Sequence, residues 1–206
     1  MEAKVTKTFA FPGMSFQGSL TISDDEYQAV VGNPELAAGK AGRLTTRTSD
    51  SVGVVTMTTG HGFTTSQVVD LYWVGGMRLG VVLGTVGAPT ADTAVPIASG
   101  GAGDVLPADE TDVVMSARTI ITLPLDGDAL KLMAFLAGGR AGLNFLDDLD
   151  ASLDTQELAD ANSPYDWALG SGTNPLAGET LGSITASSGA AAATTLQYGL
   201  LHDAVA

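Results

Sequence analysis

The sequence predicts an all-β protein: a β-sandwich, jelly-roll-like, with an inserted small β-barrel. Three observations carry this. Short runs of β-branched and aromatic residues alternate with polar ones along most of the chain, separated by glycine- and proline-containing turns. A central block rich in threonine, valine and glycine is self-contained in its runs and turns, as a small barrel is. The segments before and after that block read as strands, and neither holds enough of them to close a core alone. The expected domains are therefore a discontinuous sandwich from 1–41 and 109–206, and a barrel at 42–108.

KVTKTFAF alternates from Val5 to Phe11 and stops at Pro12-Gly13. SFQGSLTIS and DDEYQAVV follow as strands, with Tyr27, Ala29 and Val31 on one face of the latter. GNPELAAGKAG is rich in turn formers and small residues and reads as a connection near Gly32 to Gly42. In the barrel block, VVDLYWV and MRLGVVLGTV form a hairpin about Gly75-Gly76, whose glycines supply the positive φ a two-residue turn prefers. DTAVPIAS adds a short strand, followed by a loop from Gly100 to Gly103. TDVVMSARTIITLPL resumes the sandwich.

DALKLMAFLA fits a short helix or a strand pairing with RAGLNFLD about Gly138-Gly139; the glycine pair and β-rich neighbourhood favour the hairpin. Asp147 to Asp166 is acidic, and both a helical turn in LDTQELADA and a strand edge in LDASLD fit it. Two further strands flank a low-complexity loop from Ser187 to Ala193.

The net charge is −14, a surface that repels phosphate backbones, so nucleic acid is not an expected partner. It suits high solubility, a cationic partner or salty surroundings. The absence of cysteine removes disulfides, thiolate metal sites and cysteine nucleophiles together. MEAKVTKTFAFPGMSF holds no apolar run long enough for a signal peptide. No segment approaches the roughly 18 unbroken apolar residues of a membrane span, so no membrane association is expected.

His61 invites a general-base reading, with Asp70, Ser66, Thr64 and Thr65 nearby in sequence. No further acid, electrophile or cofactor loop completes it. The preferred reading is a tight turn permitted by Gly60 and Gly62, with His61, Gly62, Phe63 and Thr64 as its signature. GGAGD at Gly100 to Asp104 has neither a helix start nor a lysine after it, so it is no phosphate loop. No cofactor is expected.

Asp147, Asp148, Asp150 and Asp154 offer oxygen ligands for a hard cation. An EF-hand is excluded, because a loop starting at Asp148 places Leu153 at the glycine position and Ala159 at the final glutamate. An edge that meets a basic partner, or blocks unwanted strand pairing, is the other reading. Tyr72, Trp73, Tyr165 and Trp167 are the aromatic candidates for sugar stacking, against core packing.

VTMTTGHGFTTSQVVDLYW resembles a small-barrel pattern in which a strand leads to His-Gly and an apolar residue, a polar pair, and a second apolar strand. The matching positions are Val55, His61, Gly62, Phe63, Thr64, Thr65, Val68 and Val69, while Ser66-Gln67 stands where the pattern has Gly-Asp. The pattern is similar to the barrel of the first catalytic cysteine half-domain of ubiquitin-activating enzymes, and similar modules recur in tail and other virion proteins of bacteriophages. The resemblance implies no ubiquitin chemistry. With the SGTNPLAGETL turn and the acidic, cysteine-free composition, it implies a non-enzymatic virion structural protein, foremost a capsid decoration or cement protein. Its partners would be the major capsid protein or other virion proteins, and copies of itself as a homo-oligomer, a trimer favoured. It would assemble in the host cytoplasm. A tail tube or tail-accessory subunit and a carbohydrate- or receptor-binding module are the alternatives.

Overall fold

The computed structural model describes residues 4–10, 17–23, 27–57, 60–87, 93–121, 129–136, 138–158, 165–168 and 181–203. Every regular element among them is a β-strand. β1 (Lys4–Ala10) and β2 (Gln17–Ser23) pair antiparallel as a two-stranded sheet. β3 (Tyr27–Gly32) and the short β4 (Glu35–Leu36) follow.

Six strands then close a barrel: β5 (Lys40–Arg47), β6 (Gly53–Met57), β7 (Val68–Trp73), β8 (Gly76–Leu83), β9 (Thr93–Gly103) and β10 (Thr111–Ala117). Around the ring the order is β5-β6-β9-β8-β7-β10, and β10 seals it by pairing with both β7 and β5. The sequence reading drew the barrel at 42–108; the hydrogen-bonded ring runs from Lys40 to Ala117. Its interior is filled by Leu44, Val55, Val69, Leu71, Val81 and Val95. Phe63, from the turn after β6, joins this core.

The remaining strands are β11 (Thr119–Ile121), β12 (Ala129–Leu136), β13 (Ala141–Leu146), β14 (Ser152–Leu158), β15 (Tyr165–Ala168), β16 (Ser183–Ser188) and β17 (Thr194–Asp203). They form one sheet in the order β11-β16-β13-β14 and a second in the order β15-β12-β17-β3, with β4 paired to β17. One apolar core unites the two: Leu143, Phe145 and Ile184 from the first with Leu136 and Leu196 from the second.

β13 is buried at every position, which a strand with one wet face would not be. Its odd residues enter the core shared with the second sheet, and Gly142 and Asn144 point the other way, toward the barrel. The β11-β16-β13-β14 sheet is therefore a middle layer, covered by the second sheet on one side and by the barrel on the other.

Several local expectations are corrected. The β7–β8 turn is Val74-Gly75, because Gly76 already pairs with Trp73; Gly75 takes the positive φ of 83°. Gly100 to Gly103 are not a loop but the end of β9, paired to β8, with Gly100, Gly101 and Gly103 in the left-handed region. The segments around Gly138-Gly139 are both strands and are not a hairpin. β12 pairs with β15 and β17, and β13 with β14 and β16, so the chain crosses between sheets there. Asp154 and Glu157 lie in strand β14, not a helical turn. The Pro12-Gly13 stop, residues 159–164 and most of the SGTNPLAGETL turn lie outside the described residues.

Candidate functional site: a buried polar junction between barrel and sheet

β7 carries two faces. Val69 and Leu71 enter the barrel, so alternation sends Asp70 and Tyr72 outward, onto the middle sheet. A β-bulge fixes what they meet. Between the pairs Val69–Val81 and Leu71–Arg78, Asp70 faces both Leu79 and Gly80. Gly80 has φ +81°, the left-handed conformation that such a bulge assigns to glycine. The extra residue switches faces along β8. Val81 and Leu83 enter the barrel core, whereas Met77 and Leu79 join Tyr72 at the junction.

Asp70 is fully buried and collects donors from three segments. Its Oδ1 accepts the Gly80 N–H at 2.7 Å, and its Oδ2 accepts the Ser187 hydroxyl at 2.5 Å. Arg118, in the link between β10 and β11, places Nε 3.5 Å from Oδ1. The same guanidinium donates to Thr185 Oγ1 from Nε at 3.1 Å and Nη2 at 2.7 Å. Since Ser187 gives its only hydroxyl proton to Asp70, Tyr72 is the donor in its 2.5 Å contact with Ser187 Oγ. Burial pushes the Tyr72 phenol upward, keeping that proton in place.

A second tie lies beside it. Arg140 stands with its guanidinium 5.4 Å from the Tyr72 ring centroid and donates to the carbonyls of Trp73 at 2.6 Å and Gly76 at 2.9 Å. Its Nε bonds Glu157 of β14. Gly142 and Gly189 make room for the tyrosine: a Cβ on Gly142 would lie 2.6 Å from its hydroxyl, and one on Gly189 would lie 2.9 Å from its ring.

Burial raises the Asp70 carboxyl above the ordinary carboxylate range, opposed by Arg118, the Ser187 hydroxyl and the Gly80 N–H. The native state then keeps a proton at pH values where the unfolded chain has lost it. This contribution to stability is full at low pH and declines as pH rises from about 4 through the raised native value. Denaturation midpoints measured across that window should fall with pH in the wild type relative to Asp70→Asn, whose side chain does not ionise. Parallel pH profiles for the two proteins would refute the assignment.

Two clefts flank the junction. The first, about 690 Å³, is lined by Met57, Trp73, Val113, Val114 and Arg140, with Val74 almost wholly exposed at its margin. The second, about 700 Å³, lies between β8–β9 and the middle sheet, against Arg118, Ile120, Asn144 and Ser152.

The residues singled out from sequence fall elsewhere. His61 is buried, accepts the Phe63 N–H on Nδ1 at 3.0 Å and stacks on the Phe63 ring at 5.7 Å. Gly60 and Gly62 on either side have φ of 77° and 75°. The Thr64 N–H donates to Gln67 Oε1 at 3.0 Å, holding the next turn. Asp70 turns away from this loop, so the structure does not assemble His61 and Asp70 into one site.

Asp147 caps its own turn, its Oδ1 accepting the N–H of Leu149 at 2.9 Å and of Ala151 at 2.7 Å. Asp148 lies exposed in that turn, Asp150 has φ +62°, and Asp154 on β14 accepts from Gln156 Nε2 at 2.9 Å. Among the described residues, no group of three or more His, Asp or Glu side chains is placed to hold a metal ion. Tyr72 and Trp73 point to opposite faces of β7, and both faces are covered: Tyr72 is buried in the junction and Trp73 packs half-buried on the barrel core. The side chains of Tyr165 and Trp167 lie outside the described residues.

Sequence reasoning missed Arg118, Arg140, Thr185 and Ser187. The available signal was an aspartate inside the apolar run VVDLYW, which demands a buried partner. Comparison with protein-family models, with curated proteins and with solved structures finds no match to this chain.

Proposed function

We propose that this chain is a non-enzymatic structural protein of a bacteriophage virion, and within that class a capsid decoration or cement protein that binds and stabilises the head. One observation carries the reading. The buried carboxylate Asp70 is wholly engaged in fastening the barrel to the middle sheet, where an enzyme would leave such a group facing a substrate. A barrel clamped to a layered sheet body suits a part that transmits load between neighbours. The sequence resemblance to phage barrel modules and the acidic surface support the same assignment.

The finer fold description belongs with it: a jelly-roll-like sandwich formed by the segments before and after the barrel, with the barrel as an insertion. The core shared by the two sheets supports the sandwich. The partner is the major capsid protein, met through basic sites on the shell.

Purified protein mixed with undecorated heads should co-sediment and appear as knobs in negative stain. The bound fraction should fall several-fold between about 0.1 M and 1 M salt, as screening shortens from roughly 10 Å to 3 Å. Protein that stays monomeric and fails to add to heads would overturn the reading; rings or stacked tubes would point to a tail tube or tail-accessory subunit. A carbohydrate- or receptor-binding role has one observation in its favour, Trp73 in the apolar first cleft. Glycan-array binding lost in Trp73→Ala with the fold intact would support it.

A further inference from the structure

The second cleft holds two hydrogen-bond donors that the fold leaves unanswered. Asn144, on the barrel face of β13, is 1% exposed, and its Oδ1 accepts the Ser152 hydroxyl at 2.6 Å. That bond turns Nδ2 away from Ser152 and toward the cleft, where it donates to no described residue. Arg118 lines the same cleft with its side chain 15% exposed. Its Nε and Nη2 are committed to Thr185, and its Nη1 donates to no described residue. Buried donors of this kind are costly to leave unpaired, so in a native protein they mark a place that water or a ligand fills.

Gly80 gathers the two donors around one space. A Cβ at this position would stand 3.4 Å from Asn144 Nδ2 and 3.9 Å from Arg118 Nη1. The bulge opposite Asp70 gives Gly80 its φ of 81°, which disfavours any side chain, so the space beside both nitrogens stays open. One carboxylate suits the pair, with one oxygen on the guanidinium N–H and the other on the amide. The walls of the cleft are largely apolar, built from Val68, Val82, Ile120 and Leu146, and its volume of about 700 Å³ is that of a small-molecule site. Arg118 is the cation among its lining residues, and the acid, Asp150, is exposed at the rim.

We infer that the second cleft binds a small organic acid, its carboxylate seated on Arg118 Nη1 and Asn144 Nδ2 and its aliphatic body along Val68, Val82 and Ile120. The site goes beyond the virion role and does not depend on it. Donors alone meet at the Gly80 space, so an ammonium group is refused there, and a hydroxyl gains only a neutral acceptor's share of the bonding.

Octanoate is the probe, with octan-1-ol and octylammonium as controls of equal chain length. Each is titrated into the isotope-labelled full chain and followed by NMR. Octanoate should shift the side-chain amide of Asn144 and the backbone amide of Gly80 to saturation. Octan-1-ol should bind about tenfold more weakly, the difference between a charge-assisted and a neutral hydrogen bond, and octylammonium should leave both signals in place. Two variants at exposed positions keep the fold and act in opposite directions. Asp150→Asn removes the rim acid from a residue at φ +62°, which asparagine also adopts, and should tighten octanoate about threefold. Ile120→Glu, on a residue 69% exposed, adds an acid at the mouth and should weaken it about threefold, while Val105→Glu, exposed outside the cleft, should change nothing. Asn144 signals that stay still under octanoate would leave the two donors to water and overturn the inference. So would equal affinity for octan-1-ol, cleft variants that match the Val105 control, or shifts confined to Trp73 in the first cleft.

Discussion

Asp70→Ala should destabilise the protein by about 3–5 kcal/mol, the range for removing one partner from a buried, hydrogen-bonded charge pair. The carboxylate joins three separate segments in the native state. Its loss leaves the Gly80 N–H without an acceptor, frees the Ser187 hydroxyl, and strands the largely buried Arg118 guanidinium beside Thr185. For a chain of this size the melting temperature should drop by about 6–20 °C. Hydrogen exchange locates the damage. Protection should fall at Gly80 and along β16, while the β6–β9 pairing, remote from the junction, keeps its protection. Arg118→Met in the Asp70→Ala background removes the stranded charge, so the double variant should lose clearly less than the sum of the single losses. Additive losses would mean that the two side chains do not act as a pair.

The same residues show how far the sequence could be read. Alternation in VTKTFAF, SLTIS, GVVTM and VVDLYW identified strands because period two is a local property of the chain. The barrel block was legible for the same reason, its turns falling within it. What alternation does not record is which layer covers an outward face. SITASS reads as a strand with Ile184 and Ala186 inward and hydroxyls toward water, yet the barrel covers Thr185 and Ser187. A hydroxyl face is equally consistent with solvent and with a polar seam.

The hairpin expected at Gly138-Gly139 failed for a related reason. Two short strands joined by glycines fit a turn within a sheet, and they fit equally well a crossing between sheets. Only the partners on both sides of β12 and β13, distant in sequence, decide between them. His61 drew attention as one of two histidines, while Asp70, nine residues on, looked like one acid among many. The informative fact was not its charge but its place inside VVDLYW, where either face of the strand is covered.

The aromatic half of the junction yields a second large effect. Tyr72→Ala should cost about 3–5 kcal/mol, as expected for deleting a buried aromatic ring whose site does not collapse. The neighbours that hold the ring explain why it would not. Gly142 and Gly189 lie against the tyrosine and have no side chains to move inward. Met77 and Leu79 are already packed from the β8 side. The Arg140 guanidinium is held in place by the carbonyls of Trp73 and Gly76 and by Glu157, so the cavity stays open beneath it. Tyr72→Phe keeps the ring, the packing and the contact with Arg140, and gives up only the hydroxyl on Ser187; it should cost about 1 kcal/mol. Chemical denaturation of both variants separates packing from hydrogen bonding at this one position. Near-equal losses would place the stabilisation in the hydroxyl chain from Tyr72 through Ser187 to Asp70, and an alanine loss below about 1.5 kcal/mol would show that barrel and sheet can close over the gap.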